Sequence, residues 1–363
     1  MLAVVVLLAA AVGGAVLLYQ VLFRTPDFEG EGTGSVVIEV VAGASTTQIG
    51  RVLADNGVVA SVEAFVKAAE DEPRIRSVQP GFYEMRQRMS GAAAVARMLD
   101  PAARVGQLEI RGGAQLHDTI TGDGTVVPGL LTLISRASCG TVDGEQRCVS
   151  VEELDQAMAA SDPAELGVPE WALERVAAAD PHRRLEGLIA PGLYNVRPGA
   201  SATEVLRELL SESAHRIEAA GLVSGARAIG ADPYEVLIIA SLVEKEGIVP
   251  DMPRVARVIY NRLGVGQRLE LDSTVNYPLE RQSLLTSPED RARVNPYNSY
   301  AVPGLPPTPI ASPGREAIAA ALAPEEGPWF YFVRCRPDGT SCFAVTLEEH
   351  RANIQLARAN GAY

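Results

Sequence analysis

The chain has 363 residues, of which 47% are hydrophobic, and this length is enough for two domains with a sizeable core. Its formal net charge is −13, and the sequence contains no long run of Lys or Arg. Because binding to a phosphate backbone needs a basic surface, these values argue against nucleic acid as a partner.

The first segment, Leu2–Phe23, carries no charged residue and is about 22 residues long, which is enough for a helix to cross a bilayer. A cleaved signal peptide is the alternative, and it would have a basic start, a shorter apolar run and a small-residue cleavage site. No Lys or Arg precedes this run, and Tyr19–Phe23 is a poor cleavage site. We therefore expect residues 1–23 to form an uncleaved, single-pass transmembrane anchor.

The next part of the sequence is interpreted as a linker at 24–34, rich in Gly, Glu and Thr, and a small module at 35–104. The elements expected in the module are a strand at 36–41, helices at 49–56 and 62–69, a strand at 81–85 and a helix at 91–99. This order predicts a compact α+β module.

Residues 105–363 form the predicted second domain, a mixed α+β domain in which 111–185 is poorly defined by the sequence. The elements expected first are a strand at 105–110, helical segments at 151–160 and 169–179, and a loop with a short strand at 185–194. Those expected next are helices at 202–221, 233–246 and 251–263, a Pro- and Asn-rich stretch at 272–313, a helix ending at 323, and a hairpin of 329–333 with 343–345. Thr346–Glu349 forms a capping box for a final helix.

The four cysteines occur as two close pairs that flank turn-forming segments, Cys139 with Cys148 and Cys335 with Cys342. This spacing predicts two local disulfides, which persist outside the reducing cytosol. The alternative is that all four are small apolar residues. No C-x-x-C motif is present and no His lies near either pair, so we expect neither a metal site nor a cofactor.

The helix expected at 233–246 is apolar almost all round until it reaches Glu244 and Glu246 at its C-terminal end. Both lie below apolar residues, so periodicity does not rank them. The negative end of the helix dipole and partial burial both raise the pKa of a carboxyl, as a general acid near neutral pH requires. The other interpretation is a buried ion pair with an arginine of the next helix, Arg254, Arg257 or Arg262.

The run Ala240–Glu246 (ASLVEKE) resembles the signature of the MltG/YceG-type endolytic murein transglycosylases. Residues 36–99 also resemble the small LysM-like module of that family, whereas 111–185 match weakly. Ser299 and Thr308 depart from the family pattern, in which Thr and Gly are usual. Six motifs occur in the same order as in that family, which is difficult to obtain by chance. After Ala240–Glu246 they are Tyr260–Leu263 (YNRL), Leu271–Tyr277 (LDSTVNY), Pro296–Tyr300 (PYNSY), Gly304–Gly314 and Tyr331–Val333.

The resemblance implies that Glu244 is the catalytic acid/base. Protonated Glu244 would give its proton to the oxygen of the β-1,4 bond between N-acetylmuramic acid (MurNAc) and N-acetylglucosamine (GlcNAc). The ionised group would then take the proton of the muramic 6-hydroxyl, which attacks the anomeric carbon and leaves a 1,6-anhydro end. Because the substrate supplies its own nucleophile, the second carboxylate of ordinary glycosidases is dispensable.

The resemblance also implies a sugar groove lined by Tyr297, Asn298 and Tyr300. Amide and phenol groups suit the acetamido and hydroxyl groups of the glycan, and aromatic faces suit sugar rings. For the two tyrosines, the alternative is ordinary packing in a Pro-rich loop.

Further residues are expected around the catalytic acid. Asn261 either holds Glu244 or caps a helix end, and Asp272 either orients a ligand or caps a turn. Glu246 and Arg262 would support the site.

The resemblance therefore implies a lytic transglycosylase that cuts nascent peptidoglycan strands internally and limits their length, with the peptidoglycan synthases as partners. Its expected location is the cell membrane, with the catalytic domain outside the cytoplasm. Two other functions stay open. One is a non-catalytic peptidoglycan-binding or divisome scaffold protein, and the other is a muramidase that uses water, with Asp272 or Glu246 as its second carboxylate.

Overall fold

The computed structural model describes residues 25–142, 144–282 and 286–362, and it has the mixed α+β composition that the sequence predicts. The predicted anchor at 1–23 lies outside the described residues. Among the helices within the described ranges, none combines the length and apolarity that crossing a bilayer requires.

The helices and strands of these ranges follow one another in chain order. Up to residue 195 they are β1 (Glu31–Val40), α1 (Thr46–Asp55), α2 (Val62–Glu70), β2 (Gly81–Met89), α3 (Gly91–Leu99), β3 (Arg104–Val105), β4 (Gln107–Ile110), β5 (Thr119–Ile120), β6 (Val126–Val127), α4 (Leu130–Ala137), β7 (Gly140–Val142), β8 (Glu145–Arg147), α5 (Val151–Ala160), α6 (Leu173–Ala178) and β9 (Gly192–Asn195). From residue 202 they are α7 (Ala202–Ala219), α8 (Leu222–Ala228), α9 (Pro233–Glu246), α10 (Met252–Gly264), α11 (Asp272–Asn276), α12 (Pro288–Ala292), α13 (Arg315–Leu322), β10 (Tyr331–Arg334), β11 (Ser341–Ala344) and α14 (Leu347–Ala359).

The chain divides into two units, and unit 1 is formed by the residues up to Gln107 together with 139–147 and 197–199. Its sheet has the order β1–β2–β3, and β2 is antiparallel to both neighbours. Ser45 begins α1 with a capping box that includes Gln48, and Leu53 and Phe65 are fully buried in the core of the unit. The strand–helix–helix–strand order expected for this module is therefore confirmed.

The predicted linker at 24–34 is wrong at its C-terminal end, because β1 already begins at Glu31, opposite Met89 of β2. A Cβ on Gly32 would lie 2.5 Å from the carbonyl oxygen of Gln87, so only glycine permits this close pairing. The Gly-rich composition suggests a linker, but the glycine at position 32 belongs to strand β1.

Unit 1 also contains the hairpin of β7 and β8, a segment that the sequence analysis placed in the second domain as a loop. Its strand residues from Glu145 to Arg147 are exposed, so no apolar alternation marks them as a strand. Gly144 has a φ of 81°, the left-handed conformation that short hairpin turns favour.

Unit 2 is formed by 108–138, 148–196 and the residues from 200 onward, and its central element is α9. Asp232 begins this helix by accepting the Tyr234 N–H at 2.7 Å, and Pro233 occupies the first helical position. Every side chain from 236 to 243 is buried, and α8, α10 and α13 pack against the helix. The predicted start, end and central position of this helix are confirmed.

The remaining pairs of strands in this half of the chain are small. β4 pairs with β9, β5 with β6, and β10 with β11. Cys335 and Cys342 form a disulfide across β10 and β11, and Cys139 and Cys148 are also disulfide-bonded. No cysteine is free, so the prediction of two disulfides is confirmed.

We expect replacement of Leu237 by Ala to lower the free energy of unfolding by about 3 kcal/mol, because this side chain is fully buried and its removal leaves a cavity. Leu193→Ala is the matched control, since Leu193 is 73% exposed and should change stability by less than about 0.5 kcal/mol. Urea denaturation measures both variants. Equal losses in the two would contradict the central position of α9.

Candidate active site

Glu244 lies in the last turn of α9 and is half-buried. Its Oε2 accepts a hydrogen bond of 2.9 Å from the N–H of Gly314, the residue that precedes α13. Gly314 has no side chain with which to cap that helix, so the carboxylate of Glu244 lies where an N-terminal acceptor is needed. The C-terminal end of one helix and the N-terminal end of another therefore meet at this carboxyl.

Two glycines lie against the carboxyl of Glu244. A Cβ on Gly112 would lie 2.4 Å from Oε1, and a Cβ on Gly314 would lie 3.3 Å from Oε2. The first distance is too short for any real contact, so Glu244 keeps its position only if residue 112 is glycine. Gly112 is itself exposed, and Oε1 of Glu244 makes no hydrogen bond to the described residues yet keeps some contact with solvent.

The backbone near Gly112 is fixed by two hydrogen bonds to the segment before α13. The N–H of Gly113 donates to the Ser312 carbonyl at 2.9 Å, and the N–H of Ser312 donates to the Ala114 carbonyl at 2.8 Å. In turn, the N–H of Ile310 donates to Oγ of Ser241, a fully buried residue of α9, at 3.1 Å. Both segments that enclose Glu244 are thus tied to the helix that carries it.

Burial is the main cause that raises the pKa of Glu244 above its ordinary value, and the negative charge of Glu316 acts in the same direction. The hydrogen bond from Gly314 and the positive charge of Lys245 lower the pKa. The net shift is upward, so Glu244 keeps its proton to a higher pH than an exposed glutamate does. A general acid needs this property.

The alternative of an ion pair with an arginine of α10 is wrong. Arg254 binds the carboxylate of Glu325 at 3.0 Å, and Arg257 donates to the Glu325 carbonyl at 2.7 Å. Arg262 is buried and donates to the Phe330 carbonyl at 2.6 Å, a contact that supports the start of β10. Among the described residues, none of the three arginines pairs with Glu244 or Glu246.

Lys245 is half-buried between its two glutamate neighbours, and its Nζ donates to the Gly113 carbonyl at 3.4 Å. Burial lowers the pKa of Lys245, while the negative charges of Glu186, Glu246 and Glu244 oppose that shift. The Lys245 ammonium group therefore interacts electrostatically with three carboxyls, and it also holds the backbone at Gly113, next to Glu244.

Glu246 ends α9 and accepts hydrogen bonds from Ser273, at 3.3 Å from its N–H and also from its hydroxyl group. Burial raises the pKa of Glu246, the hydrogen bonds from Ser273 lower it, and the charge of Asp272 raises it. The contact joins α9 to α11, in agreement with a supporting role.

Asp272, the first residue of α11, lies in a polar cluster. Its Oδ1 accepts hydrogen bonds of 2.8 Å from both the Tyr300 hydroxyl and the Thr286 hydroxyl, and its Oδ2 pairs with Arg291 at 3.0 Å. Burial is the main cause that raises the pKa of Tyr300, and the charge of Asp272 adds to it. Tyr300 is half-buried, so of the three residues predicted to line the groove it is the most accessible to a ligand.

Three other residues predicted to bind substrate hold backbone or packed side chains. Asn298 is fully buried and donates to three carbonyls at the end of α12 and just after it, including that of Arg291 at 3.0 Å. Tyr297 is 8% exposed, and its ring lies 4.7 Å from that of Tyr277 between centroids. Asn261 donates to the carbonyls of Gly327 and Trp329, at 3.0 and 2.8 Å. These contacts favour structural roles, and direct binding of glycan by these side chains stays a prediction.

The nearest approach to a metal-ligand set is the pair of histidines around Asp155. His182 Nδ1 lies 2.7 Å and His117 Nε2 3.4 Å from its carboxylate oxygens, distances of hydrogen bonds. Within the described ranges, no group of three or more His, Cys, Asp or Glu side chains is arranged to hold a metal ion.

Sequence reasoning missed two carboxyls that belong to this region. Glu186 is 1% exposed, and burial raises its pKa to about 7. It interrupts the apolar run from Leu185 to Ala190, the same signal that identifies Glu244. Glu316 is exposed on α13, and no periodicity marks it as a neighbour of Glu244.

The fold and the site define an α+β protein whose central helix carries a half-buried carboxyl of raised pKa, and comparison with known proteins identifies its family. The sequence profile of the YceG-like family matches residues 38–356, and the chain belongs to that family. This confirms the resemblance inferred from the motifs.

Individual relatives agree with this assignment. The chain is 26% identical to the endolytic murein transglycosylase of Bacillus subtilis over 342 residues, 93% of this chain and 89% of that protein. It is 29% identical to the endolytic murein transglycosylase of Streptococcus pneumoniae over 177 residues, 47% of this chain and 32% of that protein. The crystal structure of a YceG-like protein from Listeria monocytogenes aligns with a TM-score of 0.57 at 25% identity, covering 88% of this chain and 99% of that one.

We expect Glu316→Gln to lower the pKa of Glu244, because a neighbouring negative charge is removed, and Lys245→Met to raise it, because a positive charge is removed. Titration of the Glu244 carboxyl carbon by NMR measures both shifts. Glu218→Gln, an exposed change on α7, is the control and should leave the titration unchanged. A rise in the Glu316→Gln variant would contradict this account of the site.

Proposed function

We propose that this protein is an endolytic murein transglycosylase that cleaves the MurNAc-β-1,4-GlcNAc bond of nascent peptidoglycan and leaves 1,6-anhydroMurNAc ends. Its similarity to relatives of that name supports the reaction class. The observation that carries the proposal is the carboxyl of Glu244, which is half-buried, has a raised pKa and is bound through one oxygen only, among the described residues.

The geometry of Glu244 suits both proton transfers of this reaction. Oε2 is fixed by the Gly314 N–H, which leaves Oε1 on the exposed Gly112 side to give its proton to the glycosidic oxygen as the bond to the anomeric carbon breaks. The ionised carboxyl is then stabilised by the Gly314 N–H and by Lys245. Burial drives it back to the neutral form, so it takes the proton of the muramic 6-hydroxyl while O6 bonds to the anomeric carbon.

The Asp272 cluster forms one wall of the proposed groove. Asp272 orients the Tyr300 hydroxyl, and the half-buried ring and hydroxyl of Tyr300 contact a sugar. Tyr297 and Asn298 support this wall through the packing and backbone contacts described above, whereas Asn261 holds the segment before β10.

We also propose that residues 1–23 anchor the protein in the cell membrane, with both units outside the cytoplasm. The uncharged run at 2–23 and the two disulfides support this location. Such an anchor confines cleavage to strands that are being made near the membrane, where peptidoglycan synthases are the partners. The module at 35–104 would act as a LysM-like grip on the glycan.

A muramidase that uses water is the second candidate, and one observation favours it. Oε2 of Glu244 and Oε2 of Glu316 lie 3.3 and 3.6 Å from the same point, the Cβ position of Gly314. The two oxygens are therefore no more than about 7 Å apart, an upper limit that allows the separation of paired glycosidase carboxyls, about 5–5.5 Å in retaining enzymes.

The decisive experiment compares the full chain with its Glu244→Gln variant on uncrosslinked glycan strands, with the new ends identified by mass spectrometry. We expect 1,6-anhydro ends from the unchanged protein and at least about 100-fold fewer from the variant, because the general acid is lost. Glu218→Gln is the matched control for a surface change of the same type. Hydrated reducing ends would favour the muramidase, and binding without cleavage would favour a non-catalytic scaffold.

A second prediction tests the close approach of Gly112. Gly112→Ala places a Cβ 2.4 Å from Oε1 of Glu244 and must displace the carboxyl, so we expect cleavage to fall at least about tenfold. Gly122→Ala is the control, because a Cβ there meets nothing within 4 Å. Initial rates of glycan cleavage measure both. Full activity in Gly112→Ala would show that this contact does not constrain the catalytic group.

A further inference from the structure

Glu186 is a buried carboxyl that the proposed mechanism does not use. Its Oε2 accepts hydrogen bonds from the Leu116 N–H at 3.2 Å and the Tyr277 hydroxyl at 2.9 Å. Its Oε1 has no hydrogen-bond partner among the residues that the structure describes. Buried carboxyl oxygens are nearly always satisfied, so an unpartnered one needs a specific reason.

Glu186 lines a cavity of about 60 Å³. Such a space needs only about 10–15 Å³ to hold a water molecule, so the cavity admits ordered water or a polar substituent of a sugar. Arg183 stands over the Tyr277 ring at 4.9 Å and adds a donor to the lining. Asp118 and Glu280, also in the lining, are exposed, so the cavity is reached from solvent.

The cavity is close to the catalytic candidate along the chain and in space. Gly112 lies against Glu244, and Leu116, four residues later, donates its N–H to Glu186. An extended segment of that length spans at most about 14 Å. Lys245 is within electrostatic range of both carboxyls.

We propose that this cavity is a second polar subsite for the glycan, in which Oε1 of Glu186 accepts a hydrogen bond from a hydroxyl or acetamido N–H group of a sugar near the scissile bond. The inference rests on the proposed function, because it takes the glycan as the ligand. The subsite holds one substituent of a sugar whose ring stays in the groove. A buried charge often costs stability relative to an uncharged residue of similar size. A ligand-binding role gives a reason for a carboxyl at position 186 despite this cost.

The test measures binding without cleavage, in the full chain with Glu244→Gln. Isothermal titration with uncrosslinked glycan strands is compared between this variant and the double variant that also carries Glu186→Gln. We expect about tenfold weaker binding in the double variant, because a hydrogen bond to a charged group is lost. Unchanged affinity would overturn the subsite.

Glu280→Gln, in the same Glu244→Gln background, is the matched control, because it removes the same charge from the exposed rim of the cavity. An equal loss of affinity in this control would assign the effect to general electrostatics and overturn the proposal. The same titrations with N-acetylglucosamine tetramers and with cellotetraose identify the sugar group that donates to Glu186. A loss of affinity in Glu186→Gln for the first ligand alone supports the acetamido N–H, and a loss for both ligands supports a hydroxyl group.

If the Glu186→Gln variant does not fold, the pH dependence of glycan binding tests whether Glu186 contacts the ligand. The titratable and charged groups around Glu186 are Arg183 on its own turn, Lys245 and Tyr234 on α9, His117 and Asp118 beside Leu116, Tyr277 and Glu280 opposite, and Tyr297. Binding by Glu244→Gln should tighten as Glu186 ionises near pH 7, and should still do so with His117→Gln. A flat profile would overturn the subsite. Absence of anhydro ends from the unchanged protein would refute the proposed function instead.

Discussion

The hydrogen bond from the Gly314 N–H to the carboxyl of Glu244 is the contact on which the site depends. It joins the ends of two helices that are 70 residues apart in sequence. The bond exists because Ser241 holds the Ile310 backbone along α9, and because the backbone beside Gly112 pairs with Ser312. All of these partners are backbone groups or one buried hydroxyl. The carboxyl of Glu244 is therefore bound directly by a backbone group, and the Ser241 hydroxyl acts on it only through the backbone of Ile310.

The balance of charge around Lys245 explains why a proton is available at this site. Burial disfavours every charged form here, and it is the largest cause of the shifts of Glu244, Glu246, Glu186 and Lys245. The positive charge of Lys245 lowers the pKa of Glu244, but burial and the negative charge of Glu316 outweigh it. Burial raises the pKa of Glu186 to about 7, so this carboxyl ionises at a higher pH than an exposed glutamate does. The hydrogen bond from Gly314 opposes burial at Glu244 without reversing its shift.

The sequence predicts the parts of this structure that depend on local information. Asp232 and Pro233 define the start of α9, and the apolar run after them predicts its burial and the raised pKa of Glu244. Long-range partners are not predictable in this way. The contact of Gly112 with Glu244 joins residues 132 positions apart, and periodicity carries no information about it. Asn298 has the chemistry of a sugar-binding residue, yet its amide donates to carbonyls at the end of α12, a use that composition does not distinguish from binding.

The polar contacts of the other carboxyls bear on the choice between lytic and hydrolytic chemistry. A second catalytic carboxylate must be free to activate water or to attack the anomeric carbon. Asp272 accepts from two hydroxyls and pairs with Arg291, and Glu246 is bound by Ser273, so neither is free. Glu316 makes no ion pair in the described part of the chain, but it is exposed, and water screens it. Glu244 combines burial and a raised pKa with an oxygen that no described residue binds, as proton transfer needs, and the contacts of Asp272 and Glu246 favour a nucleophile supplied by the substrate.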